Sequence, residues 1–265
     1  MKNKFRILKI LVTVIIFGFL LSFSLKRFSE KPLQKIAVRL LDTSAPVYFI
    51  DEEEVRTLVR KNNPADRIGA LDIPDLEKKL RTWSAVDSAN VYLNLNGSLH
   101  LDILQRVPAF RLKKGNQDFY VDVHGAEFPL SRNYSFPAML VTGAVEAEEY
   151  KPLASLISKI NRDEFSSKYF VGISKSRGNY NLLTNDGHFK VEIGDLENIE
   201  VKIKGFKAFV EKYLIYQQPE KYNKISLKYE NQIVTTLNPY FKPNDSVLAL
   251  GRKELAKLPQ NQPKP

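Results

Sequence analysis

Three histidines, His100, His124 and His188, have the broadest chemical reach in this 265-residue sequence, since imidazole serves as acid, base or metal ligand near neutral pH. They stand far apart, and none lies in an H-E-x-x-H or comparable ligand spacing, so each reads as a strand or turn residue. The acidic pairs Glu148-Glu149 and Asp163-Glu164 fall where helix ends are expected, and there dipole and capping effects account for carboxylates without catalysis. No G-x-S-x-G elbow, S-x-x-K motif, P-loop or G-x-G-x-x-G occurs. The absence of cysteine removes disulfides, thiolate metal sites and Cys nucleophiles together. The expectation is a chain with no catalytic, cofactor-binding or metal-binding residues, no small-molecule substrate, and no enzymatic activity.

The chemistry that remains belongs to the main chain. Ile225, Leu227 and Tyr229 alternate with Ser226 and Lys228, Glu230 to Gln232 form a turn, and Ile233 to Leu237 return as a second strand. At a sheet edge, the unpaired N–H and C=O groups of that last strand would accept a strand from a partner. The candidate partner-binding residues are therefore Ile225, Ser226, Leu227, Lys228, Tyr229, Ile233, Val234, Thr235 and Thr236. Tyr229 is the candidate anchor, because an amphipathic ring gives contact area at low entropy cost. The same alternation also suits Ile225, Leu227 and Tyr229 facing a core.

What must carry this hairpin is legible from the N-terminus onward. Ile10 to Leu25 contains no charged residue and is dominated by Leu, Ile, Val and Phe. The run falls short of the about 20 residues a bilayer core asks of a helix, but Lys9 and Lys26 can snorkel and extend it. A cleaved secretory signal has a similar outline. The large Phe23 and Leu25 around Ser22 and Ser24, and Lys26-Arg27 directly after, favour an anchor. Lys2, Lys4, Arg6 and Lys9 precede the span while Lys26, Arg27, Lys31 and Lys35 follow, so flanking charge hardly orients it; the short leader favours a cytoplasmic N-terminus. Of the formal net charge of +10, six basic residues and no acidic ones lie within the first 27 positions, which leaves +4 for the rest. That modest excess is a solvated surface, not a nucleic-acid stripe.

After the span, Ile36, Val38 and Leu40 alternate as a strand, Asp51 caps a helix that Asn62-Asn63-Pro64 ends, and Asp72 with Pro74 opens another. Two strands follow around Val91 to Leu95 and Leu99 to Ile103, with Asn96-Gly97 as a type I′ hairpin signal, and Pro108 breaks the ladder. Further strands are expected at Phe119–Val123, Ala138–Val141, Tyr169–Ile173, Tyr180–Leu183 and Phe189–Ile193. Helices are expected around Leu153–Ile160 and Val201–Leu214. The fold class is α+β: a cytoplasmic N-terminus (1–9), a single transmembrane helix (10–28), a βααββ domain (33–108), a β-rich domain with flanking helices (109–238), and a flexible Pro-rich tail (239–265).

The βααββ order resembles a POTRA domain, a module found beside membranes in several bacterial systems. Spread along the chain, Leu99-x-Leu101-x-Ile103-x-Gln105-Arg106-x-Pro108, Phe119-Tyr120-Val121-Asp122 with Gly125 and Phe128, Phe136-Pro137 through Gly143, Gly194 with the Lys202 to Tyr213 helix, and Ile225-Ser226-Leu227-Lys228-Tyr229 follow one another as in the bacterial cell-division FtsQ (DivIB) family. Ser226 and Lys228 stand where that family often has Asp and Arg. The resemblance implies a non-enzymatic scaffold, without cofactors, that binds FtsB-like and FtsL-like coiled-coil division proteins and helps localise and regulate septal peptidoglycan synthesis. It also implies a single pass through the inner (cytoplasmic) membrane, with most of the chain extracytoplasmic and enriched at the septum. The alternative is an anchored POTRA-type assembly or chaperone module, for which tandem POTRA units would be expected.

Overall fold

The computed structural model describes residues 2–132 and 134–256. The chain is α+β, with an N-terminal helix α1 (Lys2–Ser29) whose stretch Leu8–Ser29 is long and apolar enough to cross a membrane. Its apolar side chains, among them Phe17 and Phe19, are exposed in the protein alone, as a lipid-facing surface would be. The remainder divides into two compact units. One runs to Val107 and includes Ser131–Tyr134; the other takes Pro108–Leu130 and everything from Ser135 on.

The first unit has the expected order of strand, two helices and two strands. β1 (Lys35–Leu40) and β2 (Val86–Leu93) flank β3 (Ser98–Gln105) in a three-stranded sheet, β1 parallel and β2 antiparallel to it. α2 (Glu52–Asn62) starts where Asp51 accepts a hydrogen bond from the Glu53 N–H at 2.8 Å, with three glutamates in its positive first turn. α3 (Ile73–Arg81) starts likewise, Asp72 accepting from the Asp75 N–H at 3.0 Å and Pro74 in the first turn. Val55 and Val59 of α2 and Leu76 and Leu80 of α3 bury their stripes against Leu99, Leu101 and Ile103. Gln105 is also buried. Its carboxamide oxygen accepts from the Phe49 and Ile50 N–H groups at 2.9 and 3.0 Å, which fixes the chain entering α2.

The β2–β3 turn differs from the expected type I′ pair. Gly97 alone has a positive φ there, and its N–H donates to the Asn94 carbonyl at 2.9 Å while Leu95 projects into solvent. A type I′ turn needs both central residues left-handed, whereas here the bend is one residue earlier and Gly97 serves as the left-handed residue that follows it.

The second unit is built on a nine-stranded mixed sheet. In chain order its strands are β4 (Pro108–Lys114), β5 (Gln117–Asp122), β6 (Glu127–Pro129), β7 (Leu140–Thr142), β8 (Phe170–Ser176), β9 (Asn179–Thr184), β10 (Lys190–Gly194), β11 (Tyr222–Ser226) and β12 (Val234–Leu237). Their spatial order is β12-β11-β10-β9-β8-β7-β4-β5-β6, so β12 and β6 are the two edges. α4 (Tyr150–Arg162) contributes Leu153, Leu156, Ile157 and Ile160 to its core, α5 (Glu164–Tyr169) packs Phe165 and Tyr169 against it, and α6 (Ile199–Lys212) contributes Phe206. β4 is a strand where only a break is expected. Pro108 is its first residue, a place in a ladder where a missing N–H is tolerated. Beyond Pro239, where a flexible tail is expected, α7 (Asp245–Leu255) is helical; the last part of that stretch, 257–265, lies outside the described residues.

Candidate functional site

The edge formed by β12 is assembled from the strand beneath it. β11 runs parallel to β10, with Glu192 opposite Ser226, and antiparallel to β12, with Ile225 opposite Thr235 and Ser226 opposite Val234. Under the ladder, the Glu192 carboxylate accepts from the Ser226 hydroxyl at 2.8 Å and the Lys224 ammonium at 3.0 Å. Burial works against its ionisation, but the Ser226 and Lys224 hydrogen bonds outweigh that and hold the carboxyl below its usual range. The Leu227 N–H donates to the Glu192 carbonyl at 2.7 Å, and there the chain leaves the sheet.

The nine expected partner-binding residues separate into three groups. Ile225, Ser226 and Leu227 are buried, which corrects their expected place on a partner-facing surface. The reason is topological: β11 has β10 on one side and β12 on the other, so it is an interior strand. Lys228 and Tyr229 are exposed on the loop between the strands, with the Lys228 ammonium 5.0 Å from the centre of the Tyr229 ring. Gly194, at φ +73°, makes room for this arrangement, since a Cβ there would stand 2.8 Å from the Lys228 Cβ. On the returning strand the side chains alternate. Ile233 and Thr235 are half-buried, Ile233 packing on the core, whereas Val234 and Thr236 face solvent.

Beside this edge lies a groove of about 580 Å³, walled by the loop from Leu227 to Ile233 on one side and by Asn198, Val201, Lys202 and Gly205 of the α6 start on the other. Val201, which opens the expected helix, is 68% exposed in the groove wall. Its position, off the face shared by Ile203, Phe206 and Val210, was the signal available. Lys202 is half-buried and ion-paired to Asp195 at 2.7 Å.

The other strand edges are blunted. β6 is three residues long and ends at Pro129. In the first unit, the Arg56 guanidinium donates to the Ile36 carbonyl of β1, and that of Arg81 to the Ala89 carbonyl of β2 at 3.3 Å. Among the described residues, no side chain hydrogen-bonds to the main chain of β12. Chemically the site offers main-chain donors and acceptors, a short apolar strip and a lysine over an aromatic ring, which suits strand addition. The histidines contribute nothing to it: His100 stacks on Tyr92 at 5.2 Å, the His124 N–H donates to Asp122, and His188 stands 3.9 Å from Glu220. Among the described residues no cluster of His, Asp or Glu could hold a metal ion.

Residues 107–236 match the family described as FtsQ/DivIB, C-terminal related. That region is an FtsQ/DivIB-related domain. The match begins at the boundary between the two units and ends inside β12, so it spans the nine-stranded sheet almost entirely. No curated protein matches the chain. The FtsQ/DivIB family is one of non-enzymatic cell-division scaffolds with divisome proteins as partners.

Proposed function

We propose that this chain is a membrane-anchored scaffold whose β12 edge captures an extended segment of a small coiled-coil division protein of the FtsB or FtsL type. The scaffold thereby helps place and regulate septal peptidoglycan synthesis. In this reading α1 is the anchor in the cytoplasmic membrane, its N-terminus cytoplasmic, and the first unit is a POTRA domain on the far side. The observation that carries the reading is that β12 is an edge strand at the end of the family-matched region, beside a groove in which Tyr229 and Lys228 can hold a side chain of the arriving strand. A four-residue strand presents outward-facing main-chain groups at about every second residue, so registration must come from such neighbouring side-chain contacts.

The test is recovery of division proteins from membranes with the intact chain and with Val234→Glu. Val234 is 41% exposed, so the charge is tolerated by the fold but repels an apolar strand laid over it. The expected result is capture by the parent chain and a loss of about tenfold or more in the variant. Recovery of no division protein with either form would sink the scaffold reading. Equal recovery with both would sink only the edge as its site.

A further inference from the structure

The junction between α1 and the first unit is bonded, not flexible. The Ile68 N–H donates to the Lys31 carbonyl at 3.0 Å, the Leu33 N–H to that of Asp66 at 3.1 Å, and the Gln34 N–H to that of Gly97 at 3.0 Å, with Pro32 and Arg67 bridged. The helix end itself lies on the 3₁₀ turn Ile68–Ala70, so closely that a Cβ at Gly69 would stand 2.7 Å from the Ser29 Cβ. No slack remains by which residues 66–70 could leave the level of the helix end. If Leu8–Ser29 spans the bilayer, that level is the headgroup layer.

Four cations are gathered there: Lys26 and Arg27 in the last turn of α1, Lys31 just beyond it, and Arg67 in the isolated bridge to Pro32. All four side chains are exposed, and among the described residues none pairs with a carboxylate. The neighbouring acids, Glu30 and Asp66, are exposed and make no ion pair with them. The Lys31 ammonium lies 5.7 Å from the centre of the Phe28 ring, which keeps it beside the helix. Such a cluster on the far side runs against the charge bias that orients membrane spans, so it has a counter-ion to find outside the protein.

We propose that this junction is a seat for anionic phospholipid headgroups, with the phosphates of the leaflet from which α1 emerges lying against Lys26, Arg27, Lys31 and Arg67. The lipid and the bonded junction together hold the first unit at a set height and orientation. This rests on the reading of α1 as a span, and continuity with that span is what selects lipid phosphate over phosphate free in solution.

The test uses the intact chain in nanodiscs of phosphatidylcholine alone or mixed with phosphatidylglycerol, reading hydrogen exchange at the Leu33, Gln34 and Ile68 amides. Each cation at a charged surface contributes a factor of about five, so these amides should exchange at least about fivefold more slowly in the mixed discs. Lys31→Gln with Arg67→Gln should abolish the slowing, whereas Lys31→Arg with Arg67→Lys should keep it. Equal rates in both lipids, or slowing that survives in the glutamine pair, overturns the proposal while leaving the anchor intact. A chain that does not enter the discs overturns the anchor reading and this one with it.

Discussion

A carboxylate and a carboxamide in this chain show two outcomes of burying a polar side chain. Glu192 is 8% exposed yet finds Ser226 and Lys224, and its folded pKa lies below its unfolded value. A group with a depressed folded pKa adds stability above its unfolded value of about 4.3, and that stability is lost as pH falls through the folded one. Glu192→Gln should therefore cost about 1–2 kcal/mol in urea denaturation at pH 7, and the gap to the parent should close on acidification below pH of about 4. A gap that persists unchanged in acid would show that the carboxylate charge is not what stabilises β10 against β11. Asn63 is the opposite case. It is 5% exposed, and neither end of its carboxamide has a hydrogen-bond partner among the described residues. Since a buried unpaired polar group costs about 1–3 kcal/mol, Asn63→Leu should raise the melting temperature, and a lowered one would mean that the amide is satisfied in solution. Neither residue's state was legible in the sequence, because both depend on which strand or loop arrives from far along the chain.

The elements were legible where their signals are local. Asp51 and Asp72 cap helices three or fewer residues away, and the 3.6-residue stripes of α2, α3 and α4 need no distant partner to be recognised. Strand order is different. Nothing near Ile225 says that β10 will pair in parallel on its far side, so its burial, and with it that of Ser226 and Leu227, could not be told from exposure at a hairpin edge. The alternation of Ile233 to Leu237 was sufficient to give β12 its two faces. Gly194 links the two strands' fates, since its left-handed backbone lets Lys228 pack across the β10 end. Gly194→Ala should destabilise the protein by about 1–2 kcal/mol and displace the loop that bears Lys228 and Tyr229. Denaturant titration measures the first effect. An unchanged midpoint would mean that the loop already moves freely enough to absorb a methyl group.

Among the described residues two hydrophobic cores are present, one around Leu99, Leu101 and Ile103 and one around Phe110, Leu182 and Ile225, with no residue in common. The family match falls on the second alone, beginning at Val107 where the compact units divide. A chain organised this way should open in parts, because cooperative opening follows contiguous buried contacts and not the covalent chain. Leu101 is fully buried in the first core, and trimming it to alanine removes packing worth about 3 kcal/mol. Leu101→Ala should then accelerate hydrogen exchange of the β1–β3 amides by about a hundredfold while amides of β8–β10 stay within about threefold of the parent. Equal acceleration in both sets would show a single cooperative unit in spite of the separate cores. Acceleration confined to the first set would mean that the unit that follows α1 can loosen while the sheet that ends in β12 stays formed.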